Sequence, residues 1–419
     1  MVQAIINGRL VAGSKVLDGC ALLFNTKIIG IVSRETLDNA WQRERAWNGE
    51  PLAVTDAQGA YVSPGFINLH IHGCAGADTM DAGDDTLVVM SGFLVQTGVT
   101  SFLPATMTCA FPEIYKALEQ IRKYMTVLVR RREEWHGPQA VEEKEEKATL
   151  PGARVLGAYL EGPFISSAYK GAQQEKYITS ADFAYISDFS DVIKAVVLAP
   201  ETLVQEVERL QRFIVQCRDH HILVSLGHSG AAYEEAVQAV GLGASHVTHL
   251  CNAMSGLHHR APGLAGAALD TDATCELIAD DLHVHPAVQR ILYKVKGAAG
   301  LELVTDSMRA CGMPEGVSEL GGQKVYIKDG AARLEDGTLA GSVVTMNRAM
   351  ANFRRNTGAS VPEVVRMVTE NQAQELGLFE RIGSLCPGAL ADIVIFNEDF
   401  TIIRTFIDGN EVYKNPDFL

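Results

Sequence analysis

No uninterrupted apolar run in this 419-residue chain approaches the roughly 20 residues that a membrane-spanning helix needs, so a helical membrane protein is not expected. Residues Met1 to Leu10 show no basic segment followed by an apolar one, and the expected address is cytoplasmic. Cysteine is sparse and scattered. The eight residues (Cys20, Cys74, Cys109, Cys217, Cys251, Cys275, Cys311 and Cys386) include no Cys-x-x-Cys pair, which predicts reduced, mostly buried thiols in place of a disulfide scaffold. Positive charge is also short: 36 Lys and Arg stand against 51 Asp and Glu, a formal net charge of −15. With no basic stripe to neutralise a phosphate backbone, nucleic acid is excluded as an expected partner, and any phosphate must be met by local residues.

Apolar residues are plentiful, at 47% against 21% charged, and predict a globular protein with a large core. The length exceeds one ordinary domain, while an α/β barrel takes roughly 250 residues and tolerates insertions. Residues 1–62 carry strand-like runs such as Ala4-Ile5-Ile6 and Ala21-Leu22-Leu23-Phe24, broken by Asn7-Gly8, Asp18-Gly19 and Asn25-Thr26 turns. The chain from Gly383 onward has the same texture. Neither end holds enough strands to bury a core alone, so 1–62 and 383–419 are expected to pair into one small, discontinuous β-sandwich domain. Between them, residues 63–382 alternate short apolar runs with amphipathic helical stretches, the pattern of repeated βα units.

Eight candidate strands can be counted there: Val62–His72, Thr100–Leu103, Val155–Glu161, Val192–Leu198, Leu223–His228, His246–His249, Cys275–Ala279 and Leu301–Asp306. Eight closes a (β/α)8 TIM-type barrel, and the expected fold class is α/β on that plan. The charged run from Arg130 to Lys147 predicts a solvated helix face or surface loop. Gly321–Ile327 and Ala331–Leu334, turning at Lys328-Asp329-Gly330, predict a hairpin laid over the barrel mouth.

Histidines and carboxylates gather at the ends of these strands. His70 and His72, one residue apart on a strand, share a face and lean toward one point. Glu161 ends the third strand, His228 the fifth, His249 the sixth and Asp306 the eighth. Singly, each has an ordinary explanation: a helix cap, a loop donor, a surface ion pair. Together they fall at the C-terminal strand ends, where barrel active sites are assembled.

A carboxylate with two neutral imidazoles makes a three-ligand site with an open position, suited to Zn²⁺ or Fe²⁺. Glu161, His228 and His249 are the candidate ligands; His70 and His72 are candidates for a second ion, with Glu161 as a bridge. One or two divalent ions per subunit are expected. A divalent ion lowers the pKa of bound water from about 15.7 to about 7, which yields hydroxide at neutral pH to attack a carbonyl. Asp306 is the candidate general base, then acid.

At these residues the chain resembles the amidohydrolase superfamily, and within it the deacetylases of N-acetyl amino-sugar 6-phosphates. The resemblance rests on Leu160-Glu161-Gly162-Pro163-Phe164, Lys170-Gly171-Ala172, Gly227-His228-Ser229, Thr248-His249-Leu250-Cys251-Asn252-Ala253-Met254, His259-Arg260-Ala261-Pro262-Gly263, Ile278-Ala279-Asp280, Leu303-Val304-Thr305-Asp306 and Leu339-Ala340-Gly341-Ser342, in family order over nearly the whole chain. It implies hydrolysis of the N-acetyl group to free amino-sugar phosphate and acetate. N-acetylglucosamine 6-phosphate is the leading substrate; N-acetylgalactosamine 6-phosphate and a non-catalytic sugar-phosphate-binding barrel are the alternatives. It further implies substrate contacts from Ala172, Gln173, Asn252, Ala253, Arg260 and His283, with Leu339, Ala340 and Gly341 lining the sugar, and a homodimer.

Arg260 and His283 suit a phosphate dianion, which an Arg fork and an imidazolium donor satisfy. Four positions depart from the family pattern: Asn68 for Asp, Gln173 for His, Asp281 for Gly and Gln372 for Pro. Asn68 predicts weaker support for the first strand's ligands, and Gln173 and Asp281 leave the sugar epimer open.

Overall fold

Short apolar runs bounded by helical stretches form parallel strands when both faces are covered, and the chain follows that rule. The structure, a computed structural model, describes residues 1–44, 46–47, 49–134, 152–203 and 205–418. Most of the charged run that ends at Lys147 lies outside the described residues. The central strands are β1 (Phe66–Ile71), β2 (Val99–Pro104), β3 (Arg154–Val155, continuing as Ala158–Leu160), β4 (Ile193–Leu198), β5 (Leu223–Leu226), β6 (His246–Val247), β7 (Thr274–Ile278) and β8 (Leu301–Val304).

Neighbours pair in parallel from β1 to the first part of β3, and again from its second part to β8. Parallel bridges Ala105–Tyr159 and Ile71–Ser307 join the two groups. The strands thus run round in chain order and return to β1, as in a TIM-type barrel. Helices such as Val207–Asp219, Tyr233–Leu242 and Pro286–Lys296 cover them. Leu210, Phe213, Ile214 and Cys217 of the first turn inward at helical spacing, which is why that segment stays helical against the sheet. Among the described residues no helix is long and apolar enough to cross a membrane.

The expected first strand, Val62–His72, is two strands. Tyr61–Pro64 pairs with Ile393–Phe396 and Arg9–Ala12 in a separate six-stranded sheet, and only Phe66–Ile71 enters the barrel. The break falls at Gly65, where a Cβ would stand 2.1 Å from Thr100 Oγ1. A five-stranded sheet, in which Val2–Ile6 pairs with Cys20–Phe24 and Glu50–Asp56, faces that six-stranded one. Ile5, Leu22 and Phe24 from one and Leu10, Val62, Ile393 and Phe406 from the other share an apolar cluster.

Arg154 of β3 links the layers: it donates to Asp392 Oδ2 at 2.6 Å and Asp408 Oδ1 at 2.8 Å. The expected hairpin is a three-stranded sheet, Gly316–Leu320, Gln323–Lys328 and Ala331–Arg333. Its Val325 and Ile327 pack with Met107, Met308 and Ala340 beside the C-terminal strand ends.

Candidate metal centre

Each strand end delivers its side chain through a sharp backbone turn. His228, His249 and Asp306 take φ values of 46°, 30° and 44°, left-handed conformations that non-glycine residues rarely adopt. His70 and His72 lie on or just after β1 and share a face, and Glu161 follows β3 directly. All six side chains are buried, the most exposed being Asp306 at 8%. Among the described residues two groups offer three ligand atoms within 4.8 Å of one another: His70, His72 and Asp306, and Glu161, His228 and His249.

In the second group, His228 Nε2 and His249 Nε2 each lie 3.1 Å from Glu161 Oε1 and 3.1 Å from each other. His228 Nδ1 donates to the Tyr169 carbonyl at 2.9 Å, so in the neutral ring Nε2 carries a lone pair. That lone pair faces an anionic oxygen and a second imidazole nitrogen, an arrangement a cation relieves. The spacing suits one: bonds of about 2.0–2.1 Å to a tetrahedral ion set its ligands about 3.3 Å apart.

In the first group His72 Nε2 is 3.3 Å and His70 Nε2 3.6 Å from Asp306 Oδ1. Glu161 spans both groups. Its Oε2 lies 3.1 Å from His72 Nε2 and its Oε1 3.5 Å from His70 Nε2. His70 Nε2 is buried without a hydrogen-bond partner, as an unused ligand atom would be. The nitrogen and oxygen donors suit a divalent cation.

Charge distribution points the same way. Burial opposes ionisation of Glu161, yet the charges of His70 and His228 and the hydrogen bonds from His228 and His249 hold it well below the usual carboxylate range. Burial likewise opposes the His72 imidazolium, but hydrogen bonds to Asp306 and Glu161 and their charges raise its pKa well above 6.5. The buried carboxylates thus call for positive charge at this point, which a divalent ion would supply.

The other expected residues lie on loops at the same ends of the strands. Gln173 is buried: its Nε2 donates to Glu161 Oε2 at 2.6 Å and its Oε1 accepts from the Thr108 amide at 2.6 Å. A backbone amide only donates, so this side chain is locked facing the carboxylate. Ala172 beside it is half-buried, and its carbonyl accepts from Gln323 of the three-stranded sheet at 2.5 Å. Asn252 Nδ2 donates to the His249 carbonyl at 3.2 Å, and neighbouring Ala253 is half-buried.

Arg260 is exposed on the same β6 loop. After β7, His283 Nδ1 meets Asp280 Oδ2 at 2.6 Å, which leaves Nε2 as its outward polar atom. Leu339, Ala340 and Gly341 run beside Asp306, whose carbonyl accepts from the Ser342 amide at 2.8 Å.

Two of the departing positions are held by other partners. Asp281 accepts from Asn356 at 2.5 Å, Arg355 at 2.7 Å and Gln289 at 3.1 Å. Asn68 joins β1 to Thr305 at 2.8 Å, while support for His70 comes from Glu276, whose Oε2 lies 3.0 Å from His70 Nδ1. Sequence reasoning passes over Glu276 and Glu302. The available signal is a charged residue inside Thr274-Cys275-Glu276-Leu277-Ile278 and another in Leu301-Glu302-Leu303-Val304, where buried parallel strands are normally apolar throughout.

Residues 61–412 match the amidohydrolase family, and the chain belongs to it. The N-acetylglucosamine-6-phosphate deacetylase of Bacillus subtilis (strain 168) is 41% identical over 352 residues, 83% of either chain. The N-acetylgalactosamine-6-phosphate deacetylase of Escherichia coli O157:H7 is 34% identical over 364 residues, 86% of this chain and 89% of its own. The crystal structure of the N-acetylglucosamine-6-phosphate deacetylase from Pasteurella multocida superimposes with a TM-score of 0.85 at 31% identity, covering 99% of this chain and all of that one (100%).

Proposed function

We propose that this protein hydrolyses the N-acetyl group of N-acetylglucosamine 6-phosphate in a metal-dependent reaction that yields glucosamine 6-phosphate and acetate. The carrying observation is the convergence of Glu161, His228, His249, His70, His72 and Asp306 in a chain 41% identical to a deacetylase of that substrate. Glu161, His228 and His249 would hold a divalent ion, zinc or iron, with His70 and His72 placed for a second; such an ion would supply Lewis-acid activation of water and of the amide carbonyl. Asp306 accepts the proton of the attacking water and returns it to the departing amine; in support, its Oδ1 lies 3.3 Å from His72 Nε2 and 3.6 Å from His70 Nε2, at the centre where water would be activated.

His283, braced by Asp280, and the Arg260 guanidinium bind the phosphate. Leu339, Ala340 and Gly341 line the sugar, with Ala172, Gln173, Asn252 and Ala253 at the acetamido end. The two N- and C-terminal sheets, 1–62 with 383–419, form a supporting domain for the 63–382 barrel. Leu257, Leu282, Ile291 and Val295, 43–62% exposed on and beside the β6 and β7 loops, support a homodimer. Eight free cysteines suit a reducing, cytoplasmic setting.

Purified metal-loaded protein should release acetate from N-acetylglucosamine 6-phosphate, and failure to do so rejects the reading. A second substrate, N-acetylgalactosamine 6-phosphate, is favoured by the 34% identical relative and by the Gln173 departure. Comparing kcat/KM for the two epimers decides between them.

A further inference from the structure

Glu276 lies inside β7 with none of its surface exposed, surrounded by three donors. Its Oε2 accepts from His70 Nδ1 at 3.0 Å and from the His249 backbone amide at 3.0 Å; its Oε1 lies 3.2 Å from His246 Nε2. The other candidate histidine ligands have weaker braces or none. His72 Nδ1 meets only the Ala105 carbonyl, at 3.3 Å, His228 Nδ1 the Tyr169 carbonyl at 2.9 Å, and His249 Nδ1 is buried without a partner. His70 alone leans on a carboxylate.

A carboxylate accepts and does not donate, so the His70 proton is fixed on Nδ1 and its lone pair on Nε2, the partnerless atom aimed between Glu161 and Asp306. Tyr159 stacks on the same ring at 4.4 Å and restricts its rotation. The same Oε2 also grips the backbone of His249, which belongs to the other ligand group.

We propose that Glu276 is the positioning residue of this centre: by fixing the His70 tautomer and tying β1 to the β6 end, it sets cation affinity at the His70–His72–Asp306 group. The inference rests on the metal-centre reading but not on the substrate. A chain that binds cations yet releases no acetate rejects the deacetylase assignment and leaves this one intact.

The test is titration of the chelator-stripped full chain with Co²⁺, followed by visible absorption and by equilibrium dialysis with metal analysis. Removing a partner that orients a metal-bound histidine typically weakens binding about 10–100-fold. Glu276→Leu is expected to weaken the His70-containing site by that factor while the Glu161–His228–His249 group keeps its ion. Glu276→Gln keeps an acceptor without the charge and should fall between wild type and Leu; it carries the test if the Leu variant does not fold. In a His70→Ala background, Glu276→Gln should change Co²⁺ affinity less than about twofold. A Gln variant that binds like wild type overturns the proposal, as does an equal effect with and without His70.

Discussion

His228, His249 and Asp306 occupy left-handed backbone conformations that cost about 1–3 kcal/mol each and persist where the surrounding structure enforces them. Nothing about stability alone selects histidine at φ 30°; glycine would do so at less cost. The strain is the geometric consequence of ending a strand and turning its last side chain into the barrel mouth. The five candidate ligands and the candidate base Asp306 were legible in the sequence because each sits at the end of an apolar run; Asp306 as a ligand atom beside His70 and His72 was not. Nor were their mutual distances, since those depend on pairings hundreds of residues apart.

Gln173 shows that limit. It occupies a family position associated with substrate, yet its amide is clamped between Glu161 and Thr108. For Asp306, asparagine is the informative substitution, because it is nearly isosteric and tolerates positive φ. Asp306→Asn should lower kcat by about 10²–10⁴-fold, the usual contribution of a general base, with the Glu161–His228–His249 group still holding its ion. Steady-state kinetics alongside metal analysis checks this, and undiminished turnover removes Asp306 from the proton-transfer role.

At the scale of elements, the eight barrel strands were legible for a physical reason: a strand covered on both faces is a short, continuous apolar run. The same reason hid the division of Val62–His72. Val62 is buried in the sheet layer and Phe66 in the barrel core, and both read simply as apolar. Only packing distinguishes them. Gly65 stands where the chain passes from one sheet to the other, its α-carbon against Thr100 of β2, and its amide donates to the Asp392 carbonyl at 2.8 Å.

A methyl group there would meet three Thr100 side-chain atoms at 2.1–2.7 Å, with β2 buried on both sides and unable to retreat. Gly65→Ala should therefore destabilise the fold by about 1–3 kcal/mol, the range for overpacking a filled site. Gly30, where an added methyl group would meet nothing within 4 Å, is the control, and its alanine variant should unfold near the wild-type midpoint in urea. Equal midpoints for the two variants refute the overpacking argument.

For the whole molecule, the barrel interior carries charge where a core is normally apolar, and that couples stability to pH. Glu302 of β8 is fully buried with neither carboxyl oxygen hydrogen-bonded, and burial pushes its pKa up to about 8, helped by the charges of Glu375 and Glu276 and opposed by His246. His246 is raised to about 9: burial disfavours its charge, but the hydrogen bond to Glu276 and the charges of Glu302, Glu276 and Glu375 outweigh that. Glu302 binds its proton more tightly folded than unfolded, so the folded state holds extra protons between about pH 4.3 and 8, and stability falls as pH rises through that window. His246 acts in the same direction. Its contribution is complete below about pH 6.5 and is lost as pH rises through about 9.

The wild-type melting temperature should thus decline between pH 6 and pH 9.5, by the equivalent of a few kcal/mol. Glu302→Gln separates this buried acid from general alkaline unfolding. At pH 6 the wild type must protonate on folding a side chain that is ionised when unfolded, a cost glutamine does not carry, so the variant should already melt slightly higher, and its advantage should widen as pH rises toward 8. At pH 9.5 the wild type holds an unpaired buried carboxylate that the variant lacks, so the variant should melt higher by a wider margin. Thermal scans of metal-loaded protein at both pH values check this, and parallel pH profiles for the two proteins would show that Glu302 does not titrate on unfolding.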